Sequence, residues 1–315
     1  MSLKSKKNLI LFKSVNLEFK NYQKIEKNFS IISVNSFKDI NKINKKIKDN
    51  VVAIYCSQKY NYNSNLKVFK NLKFLLSSTT ATTFIDSKYC IKKKIKIISL
   101  EKETNFLKKI TPTAEHVFGL ILMISRNYIQ AIRSIENDKK FDRSPFAGIK
   151  MLSRSALGIV GYGRLGRIVK KIAVGFGMKV YHADIKEKNF KIKLKKIFSN
   201  SDFVSLHIPH LNNEGFFSSN NIKISKPFFL INTSRGEIID EKFLIKSLKN
   251  KKILGYATDV LKEEFDPNFK LKKNLLFKHI HKYNIIITPH IGGSTKDAWV
   301  LTQKRIIDKF LKYYN

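Results

Sequence analysis

The sequence predicts an α/β protein built from two doubly wound parallel-sheet domains. Three observations carry this. Short apolar runs of strand length alternate with stretches of helical periodicity along most of the chain, the pattern of parallel sheets covered on both faces. One strand, Ala156–Val160, runs straight into Gly161, Gly163 and Gly166 in the order G-x-G-x-x-G, and then into Ile168, Ile172 and Phe176 at helical spacing. Finally, 315 residues suffice for two hydrophobic cores.

Taken in order, 8–12 reads as a first strand, 16–28 as a helix and 30–34 as a second strand. Residues 36–48 place Phe37, Ile40, Ile43 and Ile47 on one helical face. Val51–Tyr55 is a continuous apolar strand, 62–69 a short helix, 72–76 a strand and 95–100 another. This half carries no phosphate-binding glycine turn, so its task differs from that of the second half. The loop Ser77–Thr83, which includes Ser78, Thr79, Thr80 and Ala81, follows a strand end. A hydroxyl-rich loop at the carboxyl edge of a parallel sheet is either a ligand site or a plain polar turn. Residues 101–111 lack periodicity and suit a linker. Thr111-Pro112 then begins a long helix over 113–136, since proline is accepted at the first helical position. That helix is apolar on more than one side, through Val117, Leu120, Ile121, Ile124, Ile129 and Ile132, and is expected to pack on something beyond its own domain, such as a partner subunit. His116 on it reads as a packed or capping histidine.

In the second half, strands are expected over 179–183, 202–208, 227–231, 253–258 and 284–287, with helices over 240–248 and 295–311. The glycine turn has a chemical logic. The first glycine permits the tight turn, the second lets the backbone approach a pyrophosphate, and the third lets helix pack on strand. Free N–H groups at the helix start then face the phosphates. The next strand ends at Asp184, 18 residues after Gly166. A carboxylate there accepts hydrogen bonds from a ribose diol and repels a 2′-phosphate, so the cofactor expected is NAD rather than NADP. A βαβ unit without a ligand, with a surface aspartate, is the plainer reading.

Composition removes other classes. Lys and Arg number 61 against 24 Asp and Glu, a net charge of +37. The basic residues are nearly all lysine and are scattered among many Asn and Ile residues, as a compositional bias on solvated faces would leave them. There is no arginine cluster, zinc spacing or basic stripe interleaved with aromatics, so no nucleic-acid partner is expected. No apolar run reaches the length of a membrane helix, so no membrane partner is expected either. The apolar stretch 9–12 is too short for a signal peptide. Cys56 and Cys90 do not make a disulfide framework, and a reduced, cytoplasmic protein without a metal site is expected.

Three strand ends supply Arg235, Glu264 and His290. A guanidinium binds a carboxylate with two parallel hydrogen bonds. An imidazole takes a hydroxyl proton as hydride leaves the same carbon. A carboxylate behind the imidazole orients it and favours its protonated form. Together they make a set for oxidising a hydroxy acid. Singly, Arg235 also reads as a capping or phosphate-contacting arginine, Glu264 as a loop charge and His290 as a strand-end histidine.

At this point the chain resembles the D-isomer-specific 2-hydroxyacid dehydrogenase family. The matching pieces are GYGRLG (161–166), SLHIP (205–209), INTSRGEIID (231–240), ATDVLKEE (257–264) and TPHIGG (288–293), in order and at matching spacing. Ala114-Glu115-His116 is similar to the family's start of the interdomain helix, and the likeness runs from about Leu72 to the end. The resemblance implies that Arg235 binds the substrate carboxylate and that Glu264 and His290 form the acid–base dyad. It places Arg164 and Leu165 at the pyrophosphate, Asp184 at the ribose, and Thr233, Ser234 and Asp259 near the nicotinamide half. Gly161, Gly163, Gly166, His207, Ile208, Pro209, Arg235, His290, Gly292 and Gly293 complete the expected cofactor set, and Ser78, Thr79, Thr80, Ala81 and Arg235 the substrate set. It also implies a homodimer through the helix starting near Thr113. The fold expected is thus a Rossmann NAD-binding domain over 109–293 and a discontinuous, flavodoxin-like substrate domain over 1–108 completed by the C-terminal helix 294–315, with no regulatory domain after it.

Two departures bear on detail. Phe265 stands where the family usually has proline after the dyad glutamate, which weakens the choice between Glu263 and Glu264. The substrate loop, often glycine-rich in the family, is SSTTATT here, which leaves the hydroxy acid open. In the phosphoglycerate branch an arginine approaches the phosphate near the end of the strand 51–55. Gln58 and Lys59 occupy that region here, so Lys59 is either a point charge for a substrate such as 3-phosphoglycerate or one of many solvated lysines. The formate branch is disfavoured because it pairs its histidine with glutamine. An NAD(H)-sensing binding protein of co-repressor type, without significant turnover, is the alternative function.

Overall fold

The computed structural model describes residues 6–148, 150–266 and 268–314. The chain forms two compact units, Met1–Leu107 with Ser294–Asn315, and Lys108–Gly293.

The first unit is a five-stranded sheet: β1 (Lys7–Phe12), β2 (Phe29–Val34), β3 (Val51–Tyr55), β4 (Phe74–Leu76) and β5 (Lys96–Ile98), in the order β2-β1-β3-β4-β5. Every pairing is parallel, with Leu9 beside Ala53 and Ala53 beside Phe74. This is the flavodoxin-like order. Alternation along the strands divides the apolar side chains between faces. Ile10, Phe12, Ile54 and Leu75 join one buried cluster. Across the sheet, the helix Lys296–Tyr314 seats Phe310 against Phe29 and Phe74, with ring centroids 5.1 and 5.3 Å apart. Gln303 of that helix accepts from Glu18 N–H at 2.9 Å.

The second unit is a six-stranded parallel sheet: β6 (Ala156–Val160), β7 (Lys179–Ala183), β8 (Phe203–Leu206), β9 (Phe228–Asn232), β10 (Ile253–Thr258) and β11 (Ile285–Ile287). The order is β11-β10-β9-β8-β6-β7. The chain steps from β6 to β7 on one side and then crosses to β8 on the other. The strand order therefore reverses between β6 and β8, and ligands of open α/β sheets bind at the carboxyl end of such a point. Leu157 and Ile159 enter the core shared with the helix Pro112–Ser125, while Val160, Val204 and Leu206 enter the opposite one. Gly158 keeps that second layer close, since a Cβ there would lie 2.5 Å from Ile197 Cγ2.

Several elements differ from expectation. The helix over 36–48 is two helices, Phe37–Lys42 and Lys45–Asp49. Ile43 is extended, and Asn44 restarts the chain by accepting from Lys46 N–H, so a strong N-cap overrides the continuing apolar period. The helix over 113–136 divides in the same way into Pro112–Ser125 and Tyr128–Asp138. Asn127 sits at φ 53°, which asparagine tolerates, and Asn284 Nδ2 donates to the Ile124 carbonyl left by the first piece. The apolar sides of the first piece are absorbed within its own unit, by burial of Ala114, Val117, Phe118, Leu120, Ile121 and Ile124 against the sheet. Exposed Tyr128, Ile132 and Ile135 belong to the second piece. Residues 62–69 hold a 3-10 turn, Ser64–Val68, and the expected linker contains a short helix, Thr104–Leu107. Among the described residues, no helix is long and apolar enough to cross a membrane.

Candidate active site

The glycine turn of the second unit is built as its sequence requires. Gly161 has φ +94°, and a Cβ on it would lie 2.4 Å from the His207 carbonyl oxygen. A Cβ on Gly166 would lie 2.3 Å from the Gly161 carbonyl, whereas nothing lies within 4 Å of one on Gly163. The first and third glycines are thus demanded by protein packing, and the second leaves open space for a group from outside. The turn is tied to both neighbours: Gly161 N–H donates to Ala183 O at 2.8 Å and His207 N–H to Val160 O at 2.7 Å. Gly163 caps the helix Arg164–Gly175. Half-buried Arg164 donates to the Ile110 carbonyl, and burial lowers its pKa. Leu165 packs against the core.

At the end of β7, Asp184 Oδ2 accepts from Tyr162 N–H at 2.9 Å and Oδ1 from Lys186 N–H at 3.1 Å. The Tyr162 ring stacks on His182 at 3.7 Å, with the Arg167 guanidinium 4.7 Å from the Tyr162 centroid. Burial, then Lys170, pushes the His182 pKa down.

The next strand ends supply His207-Ile208-Pro209 and Asn232-Thr233-Ser234-Arg235. His207 Nε2 pairs with Ser205 Oγ at 2.9 Å, and burial lowers its imidazole pKa to about 4. Asn232 clamps the turn after β9: its Nδ2 donates to Arg235 O and its Oδ1 accepts from Ser234 N–H. Ser234 Oγ donates to Leu206 O at 2.6 Å, joining β9 to β8. The Arg235 guanidinium donates to Ser234 O at 2.7 Å, and no carboxylate pairs with it among the described residues. Gly236 brings this turn hard against the segment after β10, since a Cβ would lie 2.1 Å from Leu261 C.

That segment carries the decisive pair. His290 Nδ1 lies 2.7 Å from Glu264 Oε1, and Glu264 Oε2 accepts from Leu261 N–H at 3.3 Å. Between the two neighbouring glutamates the choice is plain, because the Glu264 side chain is 15% exposed and that of Glu263 68%. Phe265 lies 5.5 Å from the imidazole, centroid to centroid. His290 has φ 54°. Its turn is held by Asp259, whose Oδ1 accepts from Ile291 N–H at 2.9 Å and Oδ2 from Gly292 N–H at 2.7 Å. Burial alone would raise the Asp259 pKa, but hydrogen bonds from His116, Thr288 and those two N–H groups outweigh it and leave the carboxyl below its usual value. Gly293 ends this unit.

A family model described as "D-isomer specific 2-hydroxyacid dehydrogenase, NAD binding domain" matches residues 118–292, more than half of the chain. The chain belongs to the D-isomer specific 2-hydroxyacid dehydrogenase family. It is an oxidoreductase of that NAD-dependent family, and the matched residues are its NAD-binding domain. Among curated relatives, a glycerate dehydrogenase of Methylorubrum extorquens is 28% identical over 77% of this chain and 76% of its own. A glyoxylate reductase of Thermococcus litoralis is 35% identical over 59% of this chain and 58% of its own. Among solved structures, a D-2-hydroxyisocaproate dehydrogenase superposes with a TM-score of 0.79 over 98% of both chains at 21% identity, which speaks to the fold.

The residues present fit a dinucleotide. Gly163 leaves a cradle that a Cβ would enter, and two buried polar atoms on neighbouring strand ends, His207 Nδ1 and Thr233 Oγ1, have no hydrogen-bond partner among the described residues.

In the first unit, the loop after β4 satisfies itself. Ser77 Oγ and Thr79 Oγ1 lie 2.8 Å apart, and Thr79 Oγ1 also reaches Ala81 O at 2.8 Å. Ser78 is half-buried and Thr80 exposed. Lys59 is exposed, and its N–H donates to Ser57 Oγ at 3.3 Å.

Proposed function

We propose that the protein interconverts small 2-keto acids and D-2-hydroxy acids with His290 as the acid–base, and that glyoxylate and hydroxypyruvate are the substrate class. The observation that carries the reading is the 2.7 Å contact between His290 Nδ1 and Glu264 Oε1. A carboxylate only accepts, so the proton of that bond sits on Nδ1 and leaves Nε2 for the substrate oxygen. In oxidation Nε2 takes the hydroxyl proton; in reduction it returns it. Arg235 binds the carboxylate through the guanidinium N–H groups not spent on Ser234 O. Gly161, Gly163, Arg164, Leu165, Gly166, Asp184, the segments 207–209 and 233–235, Asp259, His290, Gly292 and Gly293 are assigned to NAD. When bound, NAD(H) accepts or supplies the hydride at carbon 2.

The first unit is assigned to the substrate through Ser78, Thr79, Thr80 and Ala81. The relatives named for glycerate and glyoxylate support the substrate class, as does the exposure of Lys59, which offers a phosphate no enclosed partner. The exposed Tyr128, Ile132 and Ile135 support a homodimer formed through the helix Tyr128–Asp138, downstream of Thr113.

The test is NADH oxidation with glyoxylate, hydroxypyruvate, phosphohydroxypyruvate and pyruvate. Turnover greatest with one of the first two is expected. Tight NADH binding with no turnover of any acid would sink the catalytic reading and favour a sensor. Sedimentation of the full chain tests the dimer.

A further inference from the structure

The turn carrying His290 is held from a helix packed on the face of the sheet. His116, in the first turns of the helix Pro112–Ser125, places Nε2 3.0 Å from Thr288 Oγ1 and 3.4 Å from Asp259 Oδ1. Thr288 Oγ1 in turn lies 2.5 Å from Asp259 Oδ1. Proton counting orders this chain. A carboxylate held as the anion only accepts, and a hydroxyl has one proton to give. Thr288 therefore gives its proton to Asp259 and accepts from His116, so Nε2 of His116 carries hydrogen. The same Asp259 receives the main-chain N–H groups of Ile291 and Gly292, while its own carbonyl accepts from His290 N–H at 3.0 Å. Three successive N–H groups around the left-handed His290 thus rest on one residue, and that residue's carboxylate is set by Thr288 and His116. Packing closes the arrangement, because a Cβ on Gly292 would lie 2.8 Å from Asp259 Oδ2 and 3.4 Å from His116 Cδ2.

We propose that His116 is a positioning residue for the reaction: through Thr288 and Asp259 it fixes the turn that aims His290. The inference rests on the reading of His290 as the acid–base. His116 touches no reacting atom, so its loss is expected to act through the aim of His290, on the chemical step more than on cofactor binding. H116F removes the donor and keeps a ring. H116Q keeps an N–H at a similar reach.

Two measurements decide it. In the protein without substrate, 15N-edited spectra of the histidine rings, with the His116 signals assigned by their loss in H116Q, are expected to show hydrogen on Nε2. A ring without hydrogen on Nε2 overturns the proposal. In steady-state reduction of glyoxylate, H116F is expected to lower kcat about tenfold, the order of one hydrogen bond to a charged group, with KM for NADH within about twofold of the original protein. H116Q is expected to recover most of the loss. An unchanged kcat in H116F, or an H116Q as impaired as H116F, makes His116 a packing residue. Should H116F not fold, T288V removes the same bonds from the other side and carries the same expected loss. H290N is measured alongside. Full turnover there overturns the acid–base reading and the inference with it, whereas an inactive H290N beside an unaffected H116F overturns the inference alone.

Discussion

The carboxyl edges of the two sheets are built differently. In the second unit several strand ends are set by an acid or amide side chain: Asp184 holds Tyr162 and Lys186 N–H, Asn232 spans Ser234 to Arg235, Asp259 holds Ile291 and Gly292 N–H, and Glu264 holds Leu261 N–H and the His290 ring. In the first unit the corresponding loop is made of hydroxyls that bond to one another and to a single carbonyl, Ser77 to Thr79 and Thr79 to Ala81. Charged and amide groups fix backbone because their bonds are strong and directional. Small hydroxyls rotate and exchange partners at little cost. The first arrangement suits chemistry that must be aimed; the second suits recognition that can change. Variants on the two edges are therefore expected to differ in size of effect and in which kinetic constant moves.

The largest effect belongs to the dyad. Glu264→Gln leaves a neutral amide beside His290 Nδ1, which no longer favours the imidazolium. Loss of positioned acid–base catalysis is worth about 10²–10⁴-fold, so kcat is expected to fall by about a hundredfold or more with the keto acid KM changing far less. A loss confined to KM would place Glu264 in binding.

Asp184 comes next. Its carboxylate supports the Tyr162 turn, and in the proposed reading it repels a 2′-phosphate. Asp184→Ala is expected to raise KM for NADH about tenfold, the order of a lost charge-assisted hydrogen bond, and to narrow the preference over NADPH. Equal or better kcat/KM with NADPH in the unaltered protein would contradict the role given to Asp184.

His207 gives an effect on stability. Burial holds its imidazole at about 4 in the folded chain, against about 6.5 when unfolded. A lowered histidine pKa means that the unfolded chain binds the extra proton first as pH falls. Stability is thus complete above about pH 6.5 and is lost progressively towards pH 4, by up to ~2 kcal/mol at pH 5. Melting between pH 7 and 5 is expected to show a fall that His207→Gln makes shallower. The same slope in both proteins would mean that other groups carry it.

Much of the second edge was legible in the sequence because its residues do unusual things. The glycine spacing answers to close packing at Gly161 and Gly166, and the acid, arginine and histidine sit at strand ends where polar residues need a reason. Even the break in the family pattern at Phe265 does not disturb the pair, since Glu264 still reaches His290. What local pattern did not reveal was long-range or permissive. The helix over 113–136 keeps its apolar period through Asn127, yet the chain turns there because asparagine accepts a left-handed conformation and Asn284 takes the free carbonyl. His116 read as a packed or capping histidine because its partner Thr288 lies 172 residues away. The first edge was least legible, since serine and threonine serve equally in an inert turn and in a binding loop.

Lys59 tests that last region and carries the smallest expected effect. It stands beyond the end of β3, exposed, and its main-chain N–H donates to Ser57 Oγ. A lysine is a compact, strongly hydrated charge, so an exposed one gains little from a phosphate unless the site excludes water. With 61 basic residues on the chain, a general attraction for anions would survive the loss of one. Lys59→Ala is therefore expected to change KM for glyoxylate and for phosphohydroxypyruvate by less than about twofold, within the range of a surface charge. A KM raised several-fold for the phosphorylated acid alone would assign Lys59 to the phosphate. It would also replace the small unphosphorylated acids as the substrate class, and it would show that the edge made of hydroxyls borrows its charge from the neighbouring strand.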